Sequence, residues 1–403
     1  MPDDGMGLLT GPRVEPLLRA AVEHQGGVLL GWSLDHVDAA PEHSTTATYL
    51  AQIRWEHGER TELLGVSART GELSASDARA EIFDDGNRRV AVWLYPHDPD
   101  LLGLPTAAFP DRMAAALNGG GVLARPVTAG QLSLSMIGYR PRRRAVVKVV
   151  VSDPHEVFYV KALRERLFAD VYGKHTMLRE AGIPAPEVAL TTPDHLLVTR
   201  EAPGMALARA LFEPGDPCTA EDLIGILDAM PPAVAALERR PPWADAVHHY
   251  SRMVSATLPE AGEELAWMAE QIGTRLAQYP VGIEATHGDF HEGQLRVDGG
   301  RIVGILDVDT IGPGRRAADL ACLIGHLSTI QRMNPAQEAK VRDLLARWVP
   351  VFDRRVDPVE LRLRAAAVII SLATGPYRSQ EVDWRQQTLQ MIGSAVALVR
   401  QVS

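Results

Sequence analysis

The chain has 403 residues, of which 46% are hydrophobic and 23% are charged, and its 51 acidic residues outnumber its 41 basic ones to give a net charge of −10. This composition is typical of a folded globular protein of two or three domains, and it excludes disordered, fibrous and collagen-like chains. The acidic balance argues against nucleic acid or an anionic membrane as the main partner.

The targeting and redox features of the sequence favour the cytoplasm. No apolar run reaches the ~18 residues that a membrane span needs. The first residues lack the basic and then apolar order of a secretory signal. Cys218 and Cys322 are the only cysteines, so we expect neither a disulfide framework nor a cysteine-based zinc cluster.

The first 120 residues predict a small α+β module. A helix is predicted over residues 15–26, where apolar side chains recur on one face before a Gly-Gly stop. Four strand-like runs follow at 28–32, 46–55, 62–69 and 88–96, and a turn that contains glycine joins the second and third. The prolines at 105–110 and the glycines at 119–121 then mark a boundary.

Beyond this boundary the pattern changes from β-rich to helical. Three β-rich runs lie at 134–139, 145–151 and 156–163, followed by a helix over 163–180 and a strand over 195–204. From residue 205 the helical pattern dominates, and it is interrupted once, at 286–309, by a loop, a strand, a Gly-Gly turn and a second strand.

This interruption carries the strongest chemical signal. Asp289 lies on the loop before the hairpin, and Asp307 ends the second strand of the hairpin, so the two carboxylates can lie at the same mouth. Two converging carboxylates can perform acid–base chemistry, bind a divalent cation, or share both roles.

The run from His287 to Thr310, with residues 314–321 after it, resembles the core signature of the aminoglycoside phosphotransferase family, which also contains sugar and choline kinases. The resemblance extends over about residues 125–400. The long N-terminal module and the pattern HGDxHxGQ are most similar to the maltokinase and related sugar-kinase branch. The resemblance implies an α+β, bilobal, protein-kinase-like fold with an extra N-terminal α+β module. It divides the chain into a cap-like module (1–120), a nucleotide-binding lobe (121–203) and a mainly helical lobe with the catalytic loop and the acceptor site (204–403).

The resemblance also implies roles for the residues of the signature. Asp289 is expected to accept or orient the proton of the acceptor hydroxyl, and Asp307 to bind Mg²⁺. Gln294 stands where the wider family usually has asparagine, and its amide oxygen is still a hard, neutral ligand suited to Mg²⁺. Asp309 is predicted to support the metal or hold the loop, and it is also a candidate for contact with the acceptor. Asp319 is predicted to hold the next helix against the catalytic loop.

Lys161 is the predicted contact to the nucleotide phosphates. It lies on the third strand after the boundary, where a kinase-like fold places the lysine that pairs with the α- and β-phosphates. The chain has only four lysines among its 41 basic residues, so a lysine indicates a position that arginine cannot fill. Glu165, Asp170 and Glu180 are the candidates for the acid on the following helix, and the sequence does not decide between them.

The remaining nucleotide contacts are predicted at a turn and a hinge. The turn between the first two strands has no glycine after its proline, and instead carries Arg142, Arg143 and Arg144, which are expected to contact phosphate through their side chains. An exposed basic turn is the alternative. Thr199 and Glu201 end the strand at the position of a hinge whose backbone would bind adenine.

The acceptor is expected in the last helices, where Glu381, Asp383 and Trp384 combine groups that stack on a sugar ring and bind its hydroxyls. An ordinary amphipathic helix is the alternative. The whole pattern predicts an ATP- and Mg²⁺-dependent O-phosphotransferase acting on a sugar, an amino sugar (maltokinase- or glucosamine-kinase-like) or an aminoglycoside. Two other functions stay open: phosphorylation of Ser or Thr on a biosynthetic precursor peptide, and a pseudokinase that binds a ligand without catalysis.

Overall fold

The computed structural model describes residues 5–40, 44–69, 79–84, 89–330 and 333–402. The chain forms two compact units. Unit 1 comprises Met1–Ala169, Val188–Glu201 and Arg378–Gln380, and unit 2 comprises Asp170–Glu187, Ala202–Tyr377 and Glu381–Ser403. The described part of the chain is a mixture of helices and antiparallel sheets, as the sequence predicts. The three-part division at 120 and 203 stays a prediction.

The described residues of unit 1 form two five-stranded antiparallel sheets. The strands of the first sheet, in the spatial order β1-β2-β3-β5-β4, are β1 (Val28–Ala40), β2 (Ser44–Trp55), β3 (Gly58–Arg69), β4 (Glu81–Asp84) and β5 (Arg89–Leu94). Those of the second sheet, in the order β6-β7-β8-β10-β9, are β6 (Leu132–Arg140), β7 (Arg144–Val151), β8 (Glu156–Leu163), β9 (Val188–Thr191) and β10 (Leu196–Arg200). The helices are α1 (Met6–Leu9), α2 (Glu15–His24), α3 (Leu104–Ala108), α4 (Pro110–Gly119) and the start of α5 (Glu165–Glu180).

The predicted N-terminal elements are confirmed within these bounds. The helix predicted over 15–26 is α2, and the four predicted runs correspond to β1, β2, β3 and β5. Arg88, which begins the fourth predicted run, lies outside the described residues. Strand β4 escaped prediction because it has only four residues, too few to establish an alternating pattern.

Helix α2 packs on one face of the first sheet. Leu18 and Val22 of the helix are fully buried against strand residues such as Ile53, as an amphipathic helix on a half-buried sheet requires. On the sheet, Gly65 allows close approach of a large side chain: a Cβ there would lie 2.3 Å from the ring of Trp93. Glycine is therefore required at position 65 for the indole to lie flat on the strand.

The second sheet packs one of its faces against α3 and α4. Side chains alternate along β7 and β8, so that Val147 and Phe158 are buried on the same face as the apolar residues of the two helices, including Leu104 and Met113. The opposite face of these strands is only partly covered. It carries the polar residues for which a function is predicted.

A buried arginine joins the two sheets of unit 1. Arg142, in the turn between β6 and β7, has a positive φ of 60° and a side chain that is only 3% exposed. Its backbone N–H donates to Asp98 (2.7 Å), and its guanidinium donates to Asp100 (2.8 Å) and to the hydroxyl of Ser67 on β3 (3.0 Å). Asp98 also accepts a hydrogen bond from Tyr139 on β6. These bonds hold the left-handed backbone of the turn, which a residue with a Cβ rarely adopts.

Unit 2 contains the C-terminal part of α5 and most of the helices. Within the described residues its strands are β11 (Met205–Ala206), β12 (Glu284–Thr286), β13 (Leu295–Asp298), β14 (Arg301–Ile305) and β15 (Gly312–Gly314). The helices that follow α5 are α6 (Leu207–Ala210), α7 (Ala220–Asp228), α8 (Val247–Thr257), α9 (Gly262–Leu276), α10 (Arg316–Leu327), α11 (Pro335–Phe352), α12 (Pro358–Leu372), α13 (Gly375–Arg378) and α14 (Trp384–Arg400).

Two apolar helices, α10 and α12, lie at the centre of unit 2. Most of their side chains are buried. Helix α10 contributes to one of the two large apolar clusters of the unit, and α12 contributes to both. A helix that is apolar all round is a core helix. Among the helices that the structure describes, none combines the length and the apolar character needed to cross a bilayer.

Replacing Arg142 by methionine tests the tie between the two sheets. The substitution keeps an apolar stem but removes the guanidinium partner of Asp100, and breaking a largely buried ion pair costs about 3 kcal/mol. We expect the free energy of unfolding from urea titration to fall by about that amount. The neighbouring Arg143→Met is the control, because the Arg143 side chain is 58% exposed and exposed pairs contribute about 1 kcal/mol or less. Equal losses in the two variants would contradict the assignment.

Candidate functional site

The loop that carries Asp289 is a rigid turn fixed by a buried carboxylate. Asp319, 1% exposed on α10, accepts hydrogen bonds from the backbone N–H groups of His287 (2.9 Å) and Gly288 (2.8 Å). Gly288 has a φ of 81°, and a Cβ there would lie 2.6 Å from the carbonyl oxygen of Thr310. Only glycine fits this position. Asp319 thus holds α10 against the loop, the role that the sequence predicts for it.

His287 closes the other side of the turn. Its Nε2 lies 2.9 Å from the carbonyl oxygen of Leu306, and its own carbonyl accepts a hydrogen bond from the Thr310 hydroxyl at 2.8 Å. Strand β12, which ends just before His287, pairs with β15, which begins just after Thr310. The segment before Asp289 and the segment after Asp307 are therefore joined by side-chain and backbone bonds.

Asp289 leaves this turn with part of its carboxylate accessible. Its side chain is 21% exposed, and its Oδ1 accepts a weak hydrogen bond from the Cys322 thiol at 3.8 Å. Burial, followed by the charge of Asp289, raises the pKa of Cys322, so the thiol stays protonated and can donate. Nε2 of His291 lies 4.0 Å from the second oxygen, Oδ2.

A cluster of titratable side chains surrounds Asp289, and the sequence reasoning did not foresee it. The rings of His291 and His326 stack with their centroids 4.0 Å apart, and Glu292 lies within 4.0 Å of a ring nitrogen of each. Burial lowers the pKa of both histidines to about 4 and raises the pKa of Glu292 to about 7. Near neutral pH the two rings are uncharged. His326 gave no sequence signal because it lies in the apolar pattern of α10, 37 positions after Asp289.

Gln294 and Asp307 are brought together by the backbone. The Leu306 N–H donates to the Gln294 carbonyl at 2.7 Å, which places the residue before Asp307 on the segment of Gln294. Asp307 itself has a φ of 50°, in the left-handed region, where the chain turns sharply after β14. The arrangement holds two oxygen-bearing side chains on adjoining segments, as the predicted metal site requires.

The orientation of the Gln294 amide follows from the donors and acceptors of the neighbouring His291 ring. Nδ1 of His291 accepts from the Gly293 N–H at 3.1 Å, so its neutral ring carries the proton on Nε2. The Gln294 amide nitrogen lies 3.1 Å from that Nε2. Two N–H donors cannot bond to each other, so we infer that the oxygen and nitrogen of this amide are exchanged and that the carbonyl oxygen accepts from the ring. One lone pair of this oxygen then remains for a cation. The donor set of Asp307 and Gln294, a carboxylate and an amide oxygen, fits Mg²⁺.

Lys174 is a second feature that sequence reasoning passed over. It is 4% exposed, and its ammonium group donates to the carboxylate of Asp170 and to the carbonyl of Asp309, both at 2.9 Å. The signal was available, because Lys174 is one of only four lysines. Asp309 is itself only 6% exposed, which suits the predicted role of holding the loop better than contact with an acceptor.

The three acidic residues of α5 that could pair with Lys161 have different surroundings. Asp170 pairs with Lys174 and also lies 3.4 Å from Arg240. Glu165 and Glu180 are the exposed first and last residues of α5. The assignment of an acid to Lys161 stays open.

In unit 1 the predicted nucleotide residues share the less covered face of the second sheet. Lys161 lies opposite Val146 on β7 and Leu197 on β10, and Thr199 lies opposite Tyr159. Directly opposite residues on antiparallel strands project from the same face. Lys161 and Thr199 therefore lie on one surface.

Glu201 follows β10 and extends this surface. Its carboxylate lies 3.7 Å from the ammonium of Lys148 and accepts a hydrogen bond from the Tyr159 hydroxyl at 3.2 Å. Its backbone N–H already donates to the Val157 carbonyl at 2.9 Å. That N–H is thus committed to the sheet, and a base bound at this hinge would use other backbone groups.

The three arginines of the β6–β7 turn have different environments. Arg142 is buried in the network described above, so the expectation that its side chain contacts phosphate is wrong: the guanidinium is committed to Asp100 and Ser67. Arg143 is exposed and lies 3.3 Å from Asp38. Arg144 begins β7 and is half-buried. Arg143 and Arg144 keep their predicted role as candidates.

The predicted acceptor residues form their own cluster at the start of α14. The amide of Gln387 donates to Glu381 (2.9 Å) and to Asp383 (2.6 Å), and the ring of Trp384 makes an edge contact with Tyr377 at 5.0 Å. Unit 2 also contains a cavity of about 540 Å³ beside Gly288. The described residues that line this cavity do not include Glu381, Asp383 or Trp384.

Residues 141–355, more than half of the chain, match the sequence model of the phosphotransferase enzyme family, APH. No curated protein matches the chain.

Three similar solved structures are each less than 20% identical to this chain. A choline/ethanolamine kinase family protein from Mesorhizobium loti is 19% identical over 70% of this chain and 93% of that chain, with a TM-score of 0.47. A thermostable mutant of the aminoglycoside phosphotransferase APH(4)-Ia is 16% identical over 68% of this chain and 96% of that chain, with a TM-score of 0.46. An ethanolamine kinase from Plasmodium vivax is 12% identical over 71% and 88%, with a TM-score of 0.45. The family match, and not these distant similarities, carries the assignment.

Glu292 makes a testable contribution to the pH dependence of stability. Its pKa is about 7 in the folded protein against about 4.3 for a solvated glutamate, so the unfolded chain loses this proton first. The free energy of unfolding therefore falls as the pH rises from about 4 to 7, by at most roughly 3.7 kcal/mol from this group. Glu292→Gln should remove that decline, so urea titrations at pH 5 and pH 8 should differ less than in the wild type.

The exposed Glu264 of α9 supplies the control for this measurement. Glu264→Gln should keep the wild-type difference between the two pH values. A wild-type difference in Glu292→Gln as well would show that Glu292 ionises normally in the folded protein.

Proposed function

Because the chain belongs to the phosphotransferase enzyme family, we propose that it transfers the terminal phosphoryl group of ATP to a hydroxyl of a sugar, an amino sugar or an aminoglycoside. Membership confirms the family resemblance and the predicted fold class, an α+β kinase-like fold with an additional N-terminal module. The activity of the family is phosphotransfer. The identity of the acceptor and the requirement for Mg²⁺ go beyond the family assignment and are our proposal.

The observation that carries the proposal is the fixed presentation of Asp289. Phosphoryl transfer depends on positioning and on charge stabilisation more than on covalent chemistry. The turn before Asp289 is held by two backbone bonds to Asp319 and by the His287 contacts, so the carboxylate is placed without a flexible loop. In this role Asp289 accepts or orients the proton of the attacking hydroxyl.

The groups around Asp289 direct its carboxylate. The Cys322 thiol donates to one of its oxygens and so holds that oxygen in place. The neutral His291 lies 4.0 Å from the other oxygen and adds no positive charge that would neutralise the base. The accessible part of the carboxylate is then available to an acceptor hydroxyl.

Asp307 and Gln294 would hold a divalent cation through their side-chain oxygens. When bound, Mg²⁺ neutralises negative charge on the phosphates of the nucleotide. Lys161 on the less covered face of the sheet would bind the α- and β-phosphates, with Arg143 and Arg144 as further phosphate contacts. The backbone from Thr199 to Glu201 would bind the base.

For the acceptor, the cluster at the start of α14 supports a sugar-like molecule. Gln387 orients Glu381 and Asp383 side by side, and Trp384 supplies an aromatic surface next to them. Carboxylates accept hydrogen bonds from hydroxyls and pair with an amino group, while an indole stacks on the apolar face of a sugar ring. An amino sugar uses both kinds of contact.

Replacement of Asp289 by asparagine tests the function. The substitution removes the base and leaves the size of the side chain unchanged, so turnover with the best acceptor should fall at least about a hundredfold. Nucleotide binding, measured by thermal shift with and without Mg²⁺, should stay nearly intact. Asp298→Asn, at the exposed last residue of β13, is the control and should keep wild-type turnover.

The acceptor is identified by a screen that places free sugars, amino sugars, aminoglycosides and Ser/Thr peptides side by side. Turnover on an amino sugar with no turnover on peptides would agree with the proposal. Turnover on peptides alone would replace it with peptide phosphorylation. Metal-dependent nucleotide binding without turnover on any acceptor would replace it with the pseudokinase function.

A further inference from the structure

A small arginine-lined cavity lies in unit 1, apart from the residues described above on the face that carries Lys161. Its volume is about 150 Å³, and it lies between strands of the first sheet and the β6–β7 turn. The first sheet contributes Arg69 and the hydroxyls of Ser44 and Thr46, while Arg140, Arg143 and Arg164 come from the turn and from the residue before α5. Of these arginines, only Arg143 is also a proposed phosphate contact of the nucleotide; the proposed phosphotransfer and the acceptor cluster use none of the others.

The walls of the cavity are held in place by the Arg142 network. Arg142 is committed to Asp98, Asp100 and Ser67, which fixes the turn between Arg140 and Arg143 against the first sheet. The guanidinium of Arg164 donates to the backbone carbonyl of Arg142. A site whose supporting residues are locked by hydrogen bonds binds a ligand with little loss of conformational entropy.

The described residues that line the cavity carry more positive than negative charge. Among its described lining residues the only carboxylate is Asp38, which lies 3.3 Å from Arg143 and 3.0 Å from Arg378. Desolvation, followed by the charges of neighbouring arginines, lowers the pKa of Arg140. Desolvation also lowers the pKa of Arg164, with the charge of Asp100 acting against this shift and the charges of Arg143 and Arg69 adding to it. Guanidiniums that repel one another in one cavity are stabilised by a bound anion.

The shape and the donors of the cavity select the class of anion. Arginine forks bind tetrahedral oxyanions through two parallel N–H bonds, and the Ser44 and Thr46 hydroxyls add donors on the opposite wall. At about 30 Å³ for each water-sized group, the cavity holds a small group of that kind and excludes a duplex or an extended polyanion. His36 also lines it, and burial lowers the pKa of this histidine, so near neutral pH it adds no charge.

We propose that this cavity binds a phosphate-class oxyanion, and that completing it is one role of the N-terminal module. The first sheet supplies one wall and the β6–β7 turn the other, so the module on its own would not form the site. The anion is either a phosphate group of the nucleotide or a free or phosphorylated small molecule. The two sources share the chemistry of recognition, and the experiment distinguishes them.

The test is a titration of the full-length protein with inorganic phosphate at an ionic strength held constant with chloride. Binding is measured by isothermal titration calorimetry and by thermal shift. We expect saturable binding that is at least tenfold weaker in Arg140→Gln and in Arg69→Gln, which alter opposite walls. Arg140→Lys, which keeps the charge but not the fork, should bind with intermediate affinity. Arg60→Gln, at an exposed position on β3, should bind as the wild type does.

Repeating the titration with saturating ADP identifies the source of the anion. Unchanged phosphate affinity would assign the cavity to a separate small molecule, and competition would assign it to a nucleotide phosphate. An identical thermal shift with chloride alone, or wild-type phosphate affinity in both wall variants, would overturn the proposal. Since the readout is binding of inorganic phosphate, the result is independent of whether the chain phosphorylates any acceptor.

Discussion

The buried carboxylate of Asp319 is the constraint on which the candidate site depends. It is 1% exposed and accepts two consecutive backbone N–H groups, with the Arg316 guanidinium 3.6 Å away. Desolvation raises the pKa of Asp319, while the charge of His287 and the two backbone bonds act in the opposite direction. A buried acid is tolerated only where such donors compensate for lost hydration. The two backbone hydrogen bonds that compensate Asp319 also fix the position of the backbone directly before Asp289.

A second buried charge extends this order to the residues after Asp307. Lys174 on α5 donates to the carbonyl of Asp309 and pairs with Asp170 on its own helix. The segment that carries Asp307 is thus bonded to a helix on one side and to the His287 turn on the other. Unit 1 uses the same device, because Arg142 fixes the β6–β7 turn through Asp98 and Asp100. In each case a buried charged side chain, held by hydrogen bonds, orders a loop.

Three of the four side chains clustered around Asp289 carry no charge near neutral pH: His291 and His326 are neutral, and Cys322 is a thiol. Glu292, with a pKa of about 7, is partly ionised there. All four side chains are largely buried. Electrostatic interactions are stronger in such an environment than in water, so the placement of each remaining charge matters more.

Local patterns in the sequence were sufficient for the strands and helices around the site and for the family. The hairpin at 295–305, the apolar α10 and the loop with Asp289 follow from residue spacing alone, because turn chemistry and periodicity are properties of neighbouring residues. The tertiary structure decided which distant groups meet. His326 joins Asp289 only because α10 packs on the loop, and Arg142 is buried, not exposed, only because two sheets enclose its turn. Packing brings together residues whose separation in the chain leaves no periodic signal. For that reason the sequence determined the chemistry available to this protein, while the fold determined which charges are paired and which stay accessible.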